Sequence, residues 1–429
     1  MSIIGVAVIA LTIILFSLVS DRLKDTPLTA PMVFAAIGLL IGQGGVSMVN
    51  FDFSHGVVHT LAEATLVLVL FSDAARIDLS KLRHDHNLPI RMLLVGMPLI
   101  IVLGAAAALL LPLGLTVWEA ALLAAMLAPT DAALGQAVVS NPAVPERIRQ
   151  ALNIESGLND GIALPVVLLF ACAASIVGAD ATQQQDWLVF GLKQICLGPV
   201  AGIAIGLAGG WLIDRAAIKG WMTESFEGPA ILGLALLAFT GAEAIGGNGF
   251  IAAFTAGLLF GNQVRGRCAF VFEFAESEGQ LLTLLTFLIF GASILPEFFH
   301  GIGWQHLGYA LLSLTVIRML PIALSLSGSG LNIRTKLFLG WFGPRGLASM
   351  LFALLVLQET AAGNQATLMM VTVLTVALSV VLHGLSAAPL ARAYGRQAGK
   401  VAECPEMKAV HALPLRINWK RDAKKATEP

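Results

Sequence analysis

Leu-Ala-Pro-Thr-Asp-Ala-Ala-Leu-Gly, residues 127–135, stands in the middle of an apolar run from Val117 to Ser140. Such a run is long enough to cross a bilayer, which takes about 17–25 residues. Pro129 lacks an amide hydrogen and crowds the preceding turn, so the helix is expected to open near residues 125–131. In hydrocarbon an opened turn survives where it is buried in protein or lines a wet cavity. Its freed carbonyls suit a hard cation, and Asp131 lies just beyond the break. The simpler alternative is a proline kink with an incidental acid. A charge at mid-depth costs about 2.5–3.5 kcal/mol on the insertion scale, which weighs against that alternative.

The same apolar character extends along the chain. Of 429 residues, 57% are apolar and 12% charged, against roughly 25% charged in soluble domains. A net charge of −1 gives no nucleic-acid footprint. Cys172, Cys196, Cys268 and Cys404 form no CxxC pair and signal neither a disulfide framework nor a zinc site. No internal repeat of 20–50 residues stands out. Thirteen spans are expected, at 3–20, 28–43, 57–73, 90–111, 117–140, 150–178, 187–213, 228–245, 249–263, 279–295, 306–326, 337–357 and 367–388. No basic stretch precedes the first, so it reads as a retained helix rather than a cleaved signal.

Orientation follows from Lys and Arg, which short cytoplasmic loops retain. Alternate connections hold Arg22 and Lys24; Arg76, Lys81 and Arg83; Arg147 and Arg149; Arg215 and Lys219; Arg265 and Arg267; and Arg334 and Lys336. The intervening connections, 44–56, 112–116, 179–186, 246–248, 296–305 and 358–366, hold none. This alternation places the N-terminus outside and the C-terminus in the cytoplasm. Arg91 and Lys193 sit near span ends and can snorkel. The basic tail 389–429 is expected as a cytoplasmic extension near anionic headgroups, and a merely solvated tail fits as well. His84 and His86 flank Asp85 in a basic loop; a solvated loop is preferred there to a pH sensor.

The candidate charged residues within spans are Glu63, Asp131, Glu155, Asp160, Arg318 and Arg345. Span six reads Glu155-Ser-Gly-Leu-Asn-Asp160-Gly, with Asp160 about 16 Å beyond Arg149 at 1.5 Å per residue, near the midplane. Ser156 and Asp160 share one face, offering a hydroxyl and a carboxylate to an alkali ion. Glu155 and Asn159 share the neighbouring face. Span twelve opens Trp-Phe-Gly-Pro-Arg-Gly, residues 341–346, where a second break is expected. Spans five and twelve cross in opposite directions, as an inverted repeat requires, and paired broken helices point to a substrate site. Arg345 is the first choice to neutralise Glu155 and a negative half-helix end, and Arg318 the second. Glu63 either reaches the site through water or caps a contact between helices. Glu119 and Glu243, near outer span ends, are expected to be solvated.

These residues resemble those of the NhaP-type sodium/proton antiporters of the cation:proton antiporter superfamily. The matching stretches are Thr130-Asp131, Glu155-Ser156 with Asn159-Asp160-Gly161, Gly249-Phe250-Ile251 to Gly257, and Gly343 to Gly346. The resemblance covers nearly the whole membrane region. It implies thirteen helices, a homodimer, and a core domain (about 90–178 and 306–388) moving against a dimerisation domain (about 3–73 and 187–295), in a bacterial inner membrane. It also implies an ion site at the Thr130 main chain, Asp131, Ser156 and Asp160, with Glu63 reached through water. Asn159 would orient that site, and Glu155 would pair with Arg345. No resident cofactor is implied; the cation and H⁺ are cargo. Ala132 stands where the family usually has proline, and Asn at position 159 accompanies electroneutral exchange.

The chemistry follows from two nearby carboxylates that titrate as a coupled pair and take either a cation or protons. Na⁺ is the first expectation, with Li⁺ and K⁺ also served by carboxylate and hydroxyl oxygens. A cation channel with the same acids as a selectivity ring is the alternative. An intramembrane aspartyl hydrolase on Asp131 and Asp160 is a third reading, and Ser156 and Arg345 suit ion ligation better.

Overall fold

A computed structural model describes residues 3–23, 26–47, 56–77, 79, 87–176, 181–264, 269–299, 301–359, 364–398 and 406. Lys24, Lys81, Arg83, His84, Asp85, His86, Arg265, Arg267, Cys268, Cys404 and most of the tail lie outside the described residues. The described secondary structure is helical, without strands.

The helices are α1 (Ile3–Leu23), α2 (Ala30–Ile41), α3 (Gly56–Arg76), α4 (Asn87–Leu110), α5 (Val117–Met126), α6 (Ala132–Val139) and α7 (Glu146–Ile176). There follow α8 (Ala181–Ile218), α9 (Glu224–Ala244), α10 (Gly249–Val264) and α11 (Ala269–Ile289, continued through a π-helical turn to Phe299). The chain then forms α12 (Trp304–Ser325), α13 (Ile333–Trp341), α14 (Leu347–Glu359) and α15 (Gln365–Ala398). Among the described residues, eight of these are long and apolar enough to cross a membrane: α1, α4, α7, α8, α9, α11, α12 and α15.

With lipid as solvent, helices gain little from hiding apolar surface, so close association depends on small residues that let backbones approach. Gly198, Gly202 and Gly206 of α8 lie against Asn248, just before α10, and against Ala252 and Ala256 within it, leaving no room for a Cβ. The other side of α10 repeats the device, with Gly257 and Gly261 on the carbonyls of Phe71 and Ala75 in α3. Gly38 of α2 and Gly42 just past its end seat on Leu288 and Ala292 of α11, and Gly291 returns the contact to Ala35. A second set of helices gathers α5, α6 and α7 with α14 and α15, while α12 joins α4, α13 and α15.

Glu119 departs from expectation. It is buried rather than solvated, at 3% exposure, because it closes the N-terminus of α5 and reaches the start of α15. Its carboxylate accepts from the Thr116 amide at 2.9 Å, the Asn364 amide at 3.0 Å and the Asn364 side chain at 2.9 Å. Glu243 is exposed and accepts from the Gly249 amide at 2.8 Å.

Candidate ion-binding site

Two non-helical stretches, 127–131 between α5 and α6 and 342–346 between α13 and α14, meet in the interior. Pro129 stands in the first, and Gly343, Pro344 and Gly346 in the second, so both lack residues that would carry a helix through. The Asp131 amide donates to the Pro344 carbonyl at 2.8 Å, joining them. The Asp131 carboxylate then serves two helices at once. Oδ1 accepts from the amides of Ala133 at 2.7 Å and Leu134 at 3.4 Å, capping α6. Oδ2 accepts from the Leu347 amide at 2.8 Å, the first residue of α14. One negative charge thus faces two helix N-termini, where amides and dipole favour an anion. A Cβ on Gly346 would collide with that carboxylate, which requires glycine at this position.

Arg345 plays the complementary part. Its Nη1 donates to the carbonyls of Pro129 at 3.3 Å and Gly343 at 3.0 Å, which follow the C-terminal ends of α5 and α13. A buried guanidinium therefore stands at two negative helix ends.

Glu155 is held differently from the first expectation. Its direct partner is Arg318 of α12, whose Nη2 lies 2.6 Å from Oε1 and 2.8 Å from Oε2, with both side chains buried. Arg345 stays within electrostatic reach of Glu155 but spends its hydrogen bonds on carbonyls. The reason is steric: Gly343 lacks the Cβ that would strike Nε of Arg318, so the long side chain passes the second stretch to reach α7.

Beside Asp131, Thr130 is 1% exposed and its hydroxyl lies 3.0 Å from Ser156 Oγ. Asn159 Nδ2 donates to Thr130 Oγ1 at 2.6 Å and, more weakly, to the Thr130 carbonyl at 3.4 Å. A carbonyl must accept, so these contacts fix the Asn159 amide with Oδ1 pointing elsewhere. That oxygen is buried and has no hydrogen-bond donor among the described residues. Asp160 follows Asn159, is half-buried, and lies one turn beyond Ser156 on α7. The fold thus brings Thr130, Asp131, Ser156 and Asn159 into one cluster, and Asp160 adjoins it along α7 as the next residue after Asn159. Gly161 packs under the Phe254 ring of α10, which joins this part of α7 to the neighbouring helix set. Glu63, half-buried on α3, lies within electrostatic reach of Glu243 on α9.

The family model described as "Sodium/hydrogen exchanger, transmembrane" matches residues 7–393. The chain belongs to the sodium/hydrogen exchanger family. It is an integral membrane protein. It is 26% identical over 364 residues to the K(+)/H(+) antiporter NhaP2 of Shewanella sp. (strain ANA-3), covering 84% of this chain and 61% of that one. It is also 26% identical over 400 residues to the K(+)/H(+) antiporter NhaP of Alkalimonas amylolytica, covering 91% and 66% respectively. The chain therefore spans about three-fifths to two-thirds of the length of these relatives. Among solved structures, that of the sodium proton antiporter MjNhaP1 from Methanocaldococcus jannaschii superposes with a TM-score of 0.73 at 20% identity, covering 94% of this chain and all of that one. That likeness establishes a shared fold.

Several residues at the crossing of the two stretches were not singled out from sequence. The Leu347 amide carries no side-chain signal. Ser379 and His383 did: both are polar, four residues apart, in the last apolar span. Ser379 accepts from the Arg345 amide at 2.7 Å, and His383 reaches Trp341.

Proposed function

We propose that the chain is a secondary active antiporter that exchanges a monovalent cation for H⁺ by alternating access at Asp131 and Asp160. The observation that carries this reading is the cluster itself. A carboxylate sits where two helix N-termini meet, beside a hydroxyl pair and the orphaned, buried Oδ1 of Asn159. A desolvated alkali ion needs such oxygens. If Thr130 donates to Ser156, Ser156 Oγ retains a lone pair for the ion.

In this reading α5 with α6, and α13 with α14, are each one interrupted span. The thirteen-span count, an outside N-terminus and a cytoplasmic C-terminus then follow from the alternation of basic loops. The core comprises residues 90–178 and 306–388, and it moves against 3–73 and 187–295, which form the homodimer contact in a bacterial inner membrane. The relatives' names speak of K⁺ and MjNhaP1's of sodium, and the oxygen donors here accept either ion. Thr130, Asp131, Ser156 and Asp160 ligate the cation. Asn159 orients Thr130, Glu155 with Arg318 forms a structural ion pair, and Arg345 balances the helix ends. Protons and the cation compete for the same carboxylates, so neither crosses with the other.

Proton flux in proteoliposomes, with Na⁺, K⁺ and Li⁺ varied one at a time, tests this. Asp160→Asn is expected to insert normally and to lose cation-driven flux. The apparent KM of the wild type for its cation is expected to rise as pH falls, because protons then hold the site. Normal flux in Asp160→Asn, or a KM independent of pH from about 6 to 8, would refute the competition.

A further inference from the structure

We propose that Ser379 and His383 of α15 are positioning residues that strap together the two edges of the stretch 342–346 and so hold the amide that Asp131 binds. What the strap serves rests on the antiport reading; the strap itself does not.

The stretch begins after Trp341, the last residue of α13, and ends before Leu347, the first of α14. The Phe342 and Gly343 amides are held by the chain behind them, at the carbonyls of Phe338 (3.0 Å) and Trp341 (2.8 Å), but beyond Gly343 no helical hydrogen bond defines the path of the stretch. From α15, residues Ser379, His383 and Ser386 project at i, i+4 and i+7, along one face. His383 Nε2 lies 2.9 Å from the Trp341 carbonyl, which can only accept, so Nε2 carries the proton. In the neutral ring Nδ1 then accepts; of the two Ser379 oxygens beside it, Oγ at 3.2 Å can donate, whereas the main-chain carbonyl at 3.1 Å cannot. Ser379 Oγ in turn accepts from the Arg345 amide at 2.7 Å. The polarity is consistent throughout: Arg345 N–H to Ser379, Ser379 O–H to His383, His383 N–H to Trp341. One short chain thereby closes both sides of the gap.

Trp341 is gripped twice more. Its ring stacks on the His383 imidazole at 4.9 Å and 27°, and its indole Nε1 donates to Ser386 at 3.0 Å. Ser379 and His383 are fully buried, where a hydrogen bond is not exchanged for one to water. Two residues past Arg345, the Leu347 amide meets Asp131 Oδ2 at 2.8 Å. Arg345 itself places its guanidinium on the Pro129 carbonyl across the crossing. Fixing Arg345's backbone therefore fixes two contacts to the first stretch. Neither Ser379 nor His383 touches Asp131 or Asp160 in any contact described, so their effect is on geometry.

Ser379→Ala deletes one hydroxyl and His383→Leu both ring nitrogens, while His383→Gln keeps a donor for Trp341. In purified full-length protein, amide hydrogen exchange over residues 342–347 is expected to quicken about tenfold in Ser379→Ala and His383→Leu, the equivalent of one buried hydrogen bond. In proteoliposomes the apparent KM for Na⁺ or K⁺ is expected to rise about tenfold with little change in Vmax, and His383→Gln to recover part of it. Unchanged amide exchange in Ser379→Ala overturns the strap. Loss confined to protein yield and Vmax, with KM unchanged, overturns the positioning role. A wild type that exchanges no cation for protons sinks the antiport reading instead, and the amide-exchange measurement still decides the strap.

Discussion

Arg318→Leu leaves the carboxylate of Glu155 in the interior without the guanidinium that touches it. The pair is buried to 2% and 3% side-chain exposure and joined at 2.6 Å, so solvent screens it little. Removing one partner of such a pair costs about 3–5 kcal/mol, because the remaining charge stays desolvated. That is roughly two to three and a half orders of magnitude in the unfolding equilibrium. Glu155→Leu with Arg318→Leu removes both charges, and apolar replacement of a whole buried pair is often neutral. The double variant is therefore expected to unfold at higher denaturant than Arg318→Leu alone. A parallel cycle with Arg345→Leu separates the two arginines. Arg345 bonds to carbonyls, so its coupling to Glu155 is expected near 1 kcal/mol, against about 2–3 kcal/mol for Arg318. Denaturant unfolding of wild type, the three single variants and the two double variants in mild detergent supplies every term. Equal coupling to both arginines, or stronger coupling to Arg345, would refute the pairing and the role assigned to Gly343.

Asp131→Asn turns an amide N–H₂ or a single oxygen toward two sets of donors, so one helix start loses its acceptor. Unfolding is expected to become easier by about 1.5–3 kcal/mol, with cation-driven flux abolished; an unchanged midpoint would contradict the double cap. Gly346→Ala forces a Cβ into the Asp131 carboxylate, and a loss of about 1–3 kcal/mol with reduced flux is expected. Wild-type flux in that variant would mean the crossing relaxes freely. Glu119→Ala removes the cap of α5 and the tie to Asn364, so stability is expected to fall by about 0.5–2 kcal/mol. Flux should persist, because Glu119 lies at the far end of α5 from Asp131.

What could be read without coordinates was set by local backbone chemistry. Pro129 and Gly343-Pro344 lack what a continuous helix needs, and the non-helical residues 127–131 and 342–346 lie at those positions. The spacing of Ser156, Asn159 and Asp160 on α7 likewise needs nothing beyond helical geometry. Choices made across the fold were less legible. Whether Glu155 meets Arg318 or Arg345 depends on the azimuth of α12, and both arginines lie more than 150 residues away in sequence. Glu119 looked like a surface acid because its partner, Asn364, enters from the start of α15. The Leu347 amide was invisible for a deeper reason: main-chain donors have no residue identity, and only the path of the chain reveals them. His383 was overlooked because a lone histidine in an apolar span usually packs quietly; its neighbours Ser379 and Ser386 at helical spacing were the available signal.

On the proposed antiport reading, the charges at the crossing constrain what the core can carry. Asp131, Asp160 and Glu155 contribute three negative charges, and Arg318 and Arg345 two positive ones, whatever their pairings. The helix ends do not alter this total. Two N-termini at Asp131 each supply roughly +0.5 charge, and the two C-terminal ends at Arg345 each supply roughly −0.5. One negative charge remains. Carrying it uncompensated past hydrocarbon would cost several kcal/mol, whereas a single monovalent cation or a single proton removes it. A core with this composition is thus suited to move when loaded with either one and to resist moving empty. On that reading exchange is one for one, and its rate in proteoliposomes should be indifferent to membrane potential. A rate that responds to potential would require a further acid to load and unload in the cycle, and Glu63, held near Glu243 on the neighbouring helix set, would be the first to replace.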